Sequence, residues 1–304
     1  HKVDTINPYL IEAPNVFIHG RSTPICTAPK ITYGNKPADG GNLILSEEEY
    51  KILISEDSSV APFVRRYVGS KDYINNDEIR YCLWLRDVPA NLYRKNNEIM
   101  RRLAAVKEMR LKSTAAPTRA MADAPYKFFS APQKEGDCLC IPEVSSERRK
   151  YIPMGFLKNG IIASNKLLIL PDASIYHFGV LISNVHMAWT RTVCGRLKSD
   201  YQYSGAIVYN NFPWPIPTEQ QKQRIEQTAQ AILDARALYP DCSLADLYDE
   251  LTMPPELRKA HQANDRAVMD AYGFTKGTAA RTSESACVAE LMKLYQQKAS
   301  EPEK

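Results

Sequence analysis

The sequence lacks the features that mark a membrane protein, a disulfide-bonded secreted protein or a metalloprotein. No apolar run approaches the roughly 18 residues that a membrane-spanning helix needs, and the first residues contain no apolar signal-peptide core. Seven cysteines in 304 residues do not form a disulfide framework. Cys138 and Cys140 make a C-x-C pair, but no second Cys or His pair follows at zinc spacing. These absences predict a cytoplasmic protein with reduced thiols, no metal site and no membrane partner.

Signatures of catalysis are absent as well. No glycine-rich phosphate loop, G-x-S-x-G, H-E-x-x-H or kinase pattern occurs. No glycine-rich strand–turn–helix suited to a cofactor is present either. The segment "NNFPWP" resembles the Asn/Asp-Pro-Pro-aromatic motif of amino-methylating DNA methyltransferases only in composition. The sequence therefore predicts a binding segment with no catalytic residue, no cofactor site and no activity by itself.

Positive charge is concentrated in the middle of the chain, although the net charge is only +4. Residues 61–120 hold 13 basic and 6 acidic residues, and residues 121–210 hold 10 and 7. Residues 1–60 and 211–304 are both mildly acidic. A local basic excess is typical of proteins that bind a polyanion. A solvated surface that happens to be rich in lysine and arginine would give the same counts, so that alternative stays open.

The order of local patterns predicts an α+β fold in three parts. Residues 1–45, rich in Pro, Gly and Asn, predict an extended connector. Residues 46–215 combine helical periodicity with short β-prone segments, which predicts a domain with long helices and a small, bent β-sheet. Residues 216–304 have helical patterns broken by proline and glycine, which predicts an all-α C-terminal domain.

Helix limits and faces follow from capping residues and apolar spacing. Ser46 with Glu49, and Thr218 further on, predict helix N-termini. Residues 90–112 predict one long amphipathic helix, and residues 171–195 a second apolar helical stretch. The first helix should have an apolar face made of Leu92, Ile99, Leu103 and Val106. Its basic outer stripe should contain Arg94, Arg101 and Lys112, with Lys95 and Arg102 at the edge of that stripe.

The first candidate binding segment is "VSSERRKYIPMGF", residues 144–156. Arginine donates two hydrogen bonds to guanine, and glutamate accepts one from cytosine N4. Glu147 and Arg149 are two residues apart, so in an extended chain they would point the same way and could contact the two halves of one C·G pair. Ser145, Ser146 and Tyr151 would add hydroxyls, with Arg148 and Lys150 on the other side. A surface Glu–Arg ion pair is the competing interpretation.

The second candidate segment is "CGRLKSDYQYSG", residues 194–205. It combines cations, a hydroxyl and aromatic rings, a mixture suited to phosphate contacts and stacking. The residues concerned are Arg196, Lys198, Ser199, Tyr201 and Tyr203. A polar loop above packed tyrosines is the alternative.

Five motifs stand out along the chain, in this order: "GNKPADGGNLILS", "VSSERRKYIPMGFL", "IIASNKLLILPDASIYHFGVLISNVHMAW", "CGRLKSDYQYS" and "VYNNFPWP". Together they resemble, in the same order, the target recognition region of MmeI-like adenine-specific DNA methyltransferases. These are single-chain type II restriction–modification enzymes and their relatives. The stretch "LADLYDELTMPPELRKAHQANDRAVMDAYGF" is similar to the helical domain that closes those proteins.

The resemblance implies a double-stranded DNA partner and a larger parent protein. Such a parent would carry an upstream methyltransferase domain that uses S-adenosylmethionine, and in many members an N-terminal nuclease. It also implies that Glu147 and Arg149 take part in the readout of one base pair, with Tyr151 two residues further on. The upstream loop "KSTAAPTRA" lies where family members vary with their target.

Two other function classes remain as alternatives at this stage. The chain could be a protein-interaction scaffold whose basic middle binds an acidic partner. It could also be an RNA-binding module, for which single-stranded RNA would compete better than duplex DNA.

Overall fold

The computed structural model of the chain describes residues 6–13 and 15–300. Helices make up 44% and strands 14%, with several small sheets, which confirms the α+β class. The strands are β1 (Thr32–Tyr33), β2 (Ile44–Ser46), β3 (Val64–Val68), β4 (Arg80–Leu83), β5 (Cys138–Pro142), β6 (Val144–Ser145), β7 (Gly155–Leu157), β8 (Ile162–Ala163), β9 (Leu167–Leu170), β10 (Gly195–Leu197) and β11 (Asp200–Gln202). The helices are α1 (Glu47–Glu56), α2 (Ser70–Asn75), α3 (Ala90–Tyr93), α4 (Asn97–Leu111), α5 (Ala116–Ala120), α6 (Ile175–Leu181), α7 (Asn184–Val193), α8 (Glu219–Ala237), α9 (Leu244–Leu247), α10 (Pro255–Ala271), α11 (Ala279–Thr282) and α12 (Glu284–Ala299).

The chain folds into two compact units, both discontinuous in sequence. The helical unit takes the described residues up to 31, residues 139–155 and the described residues from 170 onward. The mixed unit takes residues 32–138 and 156–169. The division at residues 45 and 215 into connector, recognition domain and helical domain stays a prediction.

The mixed unit is built on a four-stranded sheet in the order β2-β4-β3-β8, in which only β3 and β8 run parallel. The core beneath it includes the predicted inner face of α4, where Ile99, Leu103 and Val106 are all buried. Helix α1 begins as predicted: Ser46 and Glu49 exchange hydrogen bonds of 2.8 and 3.1 Å in a capping box. Local capping chemistry therefore fixes where α1 begins.

The single helix predicted for residues 90–112 is wrong, because the chain breaks between α3 and α4. Asn96 accepts the backbone N–H of Ile99 at 3.0 Å and so starts a new helix. Its amide also donates to Asp57 at 3.0 Å, which fixes that cap. Leu92, on the short helix before the break, is half exposed rather than part of the apolar face.

The basic outer stripe is only partly confirmed. Arg94, Lys95, Arg101 and Lys112 are exposed as expected. Arg102 is buried instead, and its guanidinium donates to Glu49 at 2.6 Å and to Glu98 at 2.8 Å. A buried cation needs such partners, so this residue contributes to stability and not to an open basic surface.

In the helical unit, helices α6 and α10 pack against α8. A side chain on Gly179 of α6 would lie 2.7 Å from Ile225 and 2.9 Å from Ala229, so glycine is needed for this close approach. Helix α8 begins at the predicted cap, where Thr218 accepts the N–H of Gln221 at 3.3 Å. The helical stretch 171–195 is interrupted at Ser183, which caps α7.

Candidate nucleic-acid interface

The two candidate segments come together on one antiparallel sheet of the helical unit. Strand β11 pairs with β10 on one side and with β6 on the other. Tyr201 of β11 is opposite Ser145 of β6, so the end of β6 lies beside the β10–β11 hairpin. The structure thus joins residues that the sequence analysis identified separately.

The chain turns as soon as β6 ends at Ser145. The backbone N–H of Arg149 donates to the Ser146 carbonyl at 3.1 Å, which closes a turn over residues 146–149. The N–H of Arg148 donates to Ser146 Oγ at 3.3 Å, a local bond that favours the turn over an extended strand. The prediction that Glu147 and Arg149 share one direction by strand alternation is therefore wrong, since both lie in a turn.

A two-residue loop, Lys198–Ser199, connects β10 and β11, because Leu197 pairs with Asp200. Lys198 has φ +58°, a left-handed conformation that costs a non-glycine residue about 1–2 kcal/mol. Asp200 Oδ1 accepts the Glu147 N–H at 3.3 Å, which ties the hairpin to the turn. We call this surface, made of residues 146–150 and 196–199, the polar edge.

Most charged side chains of the polar edge are open to solvent. The Arg196 guanidinium lies 4.3 Å from the centre of the Tyr201 ring and donates to the Ser199 carbonyl at 3.1 Å. The edge therefore presents cations for phosphates and a carboxylate for a base edge. The exposed residues are Glu147, Arg148, Lys150, Arg196, Lys198 and Ser199, and the half-buried ones are Ser146 and Arg149.

Three residues predicted to contact nucleic acid are buried beneath this edge, and their contact with nucleic acid stays a prediction. Ser145 and Tyr201 are opposite each other in the sheet, and both point inward, 2% and 5% exposed. Tyr151 is 2% exposed, and its hydroxyl donates to Asp265 Oδ2 at 2.7 Å. The Tyr201 hydroxyl donates to the Glu147 carbonyl at 3.4 Å. These side chains support the polar edge from below.

Arg149 is the one half-buried cation of the edge. Burial lowers the pKa of its guanidinium, and the carboxylates of Asp200 and Asp249 partly offset that effect by attraction. An arginine stays protonated under these conditions. The edge thus contains a partly dehydrated cation, which has less water to lose on meeting a guanine or a phosphate than a fully exposed one.

Sequence reasoning missed the groups that hold the edge from the helices. Asp265 of α10 accepts the Tyr151 hydroxyl with one oxygen and the Asn184 N–H with the other, at 2.8 Å. Arg191 of α7 donates to the Lys150 carbonyl at 3.4 Å. The available signal in the sequence was helical spacing, which places residues 257, 261, 264, 265 and 268 on one face of α10. Three of these five residues are polar, and the structure buries all five.

Replacing Asp265 with asparagine is expected to remove a pH dependence of stability between about pH 4 and 6. Burial raises the pKa of Asp265 to about 6 despite hydrogen bonds from Tyr151 and Asn184, whereas an unfolded aspartate titrates near 4. Since the folded-state pKa is the higher one, the neutral carboxyl gives its full stability below about pH 4, and this is lost as the pH rises through about 6. The loss amounts to about 3 kcal/mol.

Urea unfolding of both proteins from pH 4 to pH 7 measures this effect. The free energy of unfolding of the asparagine variant should increase relative to that of the wild type as the pH rises from 4 to 7. Parallel curves over this range would contradict the assignment of the buried charge to Asp265.

Over the residues that the structure describes, no helix is both long and apolar enough to cross a membrane. The same residues contain no group of three or more His, Cys, Asp or Glu side chains that could hold a metal ion.

Comparisons with known proteins relate most of the chain to one family. Residues 12–216 match the family described as "MmeI, target recognition domain", and residues 217–301 match "MmeI, C-terminal domain". DNA methyltransferase A of Bacillus subtilis (strain 168) is 38% identical over 295 residues, which are 97% of this chain and 33% of that protein. The chain therefore spans about a third of the length of this curated relative.

A solved structure gives the same relationship in three dimensions. It is described as "Structure of Type IIL restriction-modification enzyme MmeI in complex with DNA has implications for engineering of new specificities". It superposes with a TM-score of 0.92 at 44% identity, and the match covers 99% of this chain and 40% of that one. The resemblance found in the motifs is confirmed: this chain belongs to the MmeI family, as a target recognition domain followed by a C-terminal domain.

Proposed function

We propose that this chain is the sequence-specific double-stranded DNA recognition module of an S-adenosylmethionine-dependent DNA adenine (N6) methyltransferase of a restriction–modification system. The observation that carries the proposal is the polar edge, where exposed cations stand beside the Glu147 carboxylate above buried side chains. Cations bind phosphates, and a carboxylate with an arginine suits the two halves of a C·G pair. The family relationship supports DNA as the partner, because the related solved structure is a complex with DNA.

We further propose that the chain works as part of a longer, cytoplasmic protein. It spans 33% of the curated relative and 40% of the solved one. An upstream methyltransferase domain of the same gene product would then be its partner, binding S-adenosylmethionine and supplying the catalytic residues, while this chain itself would hold none. The family resemblance adds an endonuclease domain as a further segment to look for in that product. Inspection of the gene's upstream sequence for a cofactor loop and an N-P-P-aromatic motif tests the arrangement directly.

Competition binding with the full-length gene product tests the choice of partner. A labelled duplex is displaced by unlabelled duplex DNA, by single-stranded RNA or by an acidic protein. Duplex DNA should be the strongest competitor. Stronger competition by RNA would favour an RNA-binding module, and stronger competition by the acidic protein would favour an interaction scaffold.

Duplex binding by the full-length product should weaken steeply with salt. If the four exposed cations of the polar edge, Arg148, Lys150, Arg196 and Lys198, each contact about one phosphate, affinity falls on the order of 10²-fold between 50 and 200 mM salt. Lys198→Ala should reduce the slope of log affinity against log salt by about 0.9 and weaken binding to all sequences alike.

Lys259→Ala is the matched control, because this lysine is also exposed but lies on α10, outside the polar edge. Its salt slope should equal that of the wild type. If the affinity of the wild type does not change with salt, or if both lysine variants have the same salt slope, the electrostatic role of Lys198 is contradicted.

A further inference from the structure

We propose that Asp265 is a positioning residue for DNA readout: acting through Tyr151, it holds the turn 146–149 in the geometry in which Glu147 and Arg149 meet their base pair. The proposal rests on the proposed function. It gives helix α10 a role in sequence specificity, although α10 lies in the C-terminal part of the chain, far along the sequence from the polar edge.

The contact between the turn and the helix is short and buried. Tyr151 follows Arg149 by two residues and is 2% exposed. Its hydroxyl donates to Asp265 Oδ2 at 2.7 Å, and its ring stacks on His261 with centres 4.1 Å apart and planes 21° apart. Both contacts are with α10, so the chain leaving the turn is fixed in position and in rotation.

Asp265 is itself held from a second side. Its Oδ1 accepts the backbone N–H of Asn184 at 2.8 Å, and Asn184 is the first residue of α7. A carboxylate at the start of a helix is also attracted by the partial positive charge there. The residue therefore joins α10, α7 and the turn at one point.

Two arginines add backbone contacts to the same stretch of chain. Arg191 of α7 donates to the Lys150 carbonyl at 3.4 Å and is held by two hydrogen bonds to Glu284, at 2.7 and 2.8 Å. Arg236 of α8 donates to the Met154 carbonyl at 2.6 Å. Residues 150–154 are therefore fastened to three helices, directly after an exposed turn.

Such fastening matters because discrimination between bases depends on geometry. Hydrogen bonds to a base edge require side chains held within roughly 0.5 Å of their working positions. An exposed turn that had to be ordered on binding would lose conformational entropy and with it affinity for the correct site. Anchoring the turn from below removes that cost before DNA arrives.

The test uses the full-length gene product and separates specificity from stability. Tyr151→Phe deletes one hydroxyl and keeps the ring on His261. Tyr272→Phe is the matched control, because its hydroxyl donates to the Pro213 carbonyl at 2.8 Å in the same unit, away from the turn. In Asp265→Asn the amide oxygen can still accept the Asn184 N–H and the amide NH2 can donate to the Tyr151 hydroxyl oxygen, whereas Asp265→Ala has no group for either partner.

The target duplex is first obtained by selecting, from randomised duplexes, the sequence that the wild-type product binds best. Two quantities are then measured for each variant: the affinity ratio between this target duplex and duplexes with one changed base pair, and amide hydrogen exchange over residues 146–150. Tyr151→Phe and Asp265→Ala should lower the ratio at one position about tenfold and speed exchange in the turn about threefold or more, with non-specific affinity unchanged. Tyr272→Phe and Asp265→Asn should keep the wild-type ratio.

An unchanged ratio in Tyr151→Phe, or an equal loss in Tyr272→Phe, would overturn the positioning role and leave only packing. A wild-type protein that discriminates no duplex at all would overturn the proposed function, and the readout role of the contact with it. The two failures are distinguished by the wild-type measurement alone.

Discussion

Replacing Arg110 with methionine is expected to lower the free energy of unfolding of the mixed unit by about 3–5 kcal/mol. The Arg110 side chain is fully buried in α4, and burial lowers the pKa of its guanidinium while Asp39 attracts the charge. Methionine fills a similar volume but leaves buried carbonyls without a donor, which is the costly part of the change. The guanidinium donates, at 2.7–3.0 Å, to the backbone carbonyls of Pro37, Ala38, Met121, Ala124 and Lys127.

Arg101→Met on the same helix is the control. Arg101 is exposed and pairs with Glu98 at 2.7 Å at the surface, so its loss should change stability by no more than about 0.5 kcal/mol. Calorimetric unfolding of both variants gives the comparison. A cost below about 1 kcal/mol for Arg110→Met would show that water reaches the five carbonyls in its place.

Arg110 also shows why charge counts overstate a binding surface. It is one of the 13 basic residues between 61 and 120 that predicted a polyanion partner. Nothing in the local sequence indicates that this arginine faces inward, because its carbonyl partners come from residues 37–38 and 121–127, which only the fold brings together. The same reason applies to Arg102 only in part, because its partner Glu49 lies 53 residues away, whereas Glu98 lies one turn earlier on the same helix.

Local signals predicted structure well where the chemistry is local. The caps at Ser46 and Thr218 are present, since a capping side chain and the N–H it accepts lie within three residues. The breaks before Asn96 and Ser183 were missed, because apolar spacing continues across both. At each break a single polar side chain caps the new helix, and the same residue type also occurs inside uninterrupted helices.

In the candidate site too, features that depend on residue type could be predicted, and features that depend on distant contacts could not. The exposed cations and Glu147 could be predicted, because their residue types alone suit phosphates and base edges. The inward positions of Ser145 and Tyr201 could not, since they depend on the pairing of β6 with β11. Asp265 could not either, because its contact with Tyr151 joins positions 114 residues apart.

The readout of one base pair by Glu147 and Arg149 remains the sharpest prediction. Glu147→Ala or Arg149→Ala in the full-length product should each cost about 1–3 kcal/mol of discrimination at the same single position, with the other positions of the site retained. The physical reason is that a base edge left without its partner loses a hydrogen bond that no neighbouring cation can replace. Selection from randomised duplexes by each variant, followed by sequencing, measures it without requiring methylation.

The double change Glu147→Lys, Arg149→Asp is a less clean test. In principle lysine suits guanine and aspartate suits cytosine, so the variant would match a G·C pair in place of C·G. The change Arg149→Asp would put a carboxylate near the two that now attract the arginine, those of Asp200 and Asp249, so repulsion would distort the turn. Alanine avoids this, and Lys198→Ala serves as the control that should weaken all sequences equally. If the alanine variants select the wild-type site with undiminished preference at every position, Glu147 and Arg149 make only a surface ion pair. A C·G preference lost at one position in both variants is the expected result, because one acceptor and one bidentate donor together specify that pair.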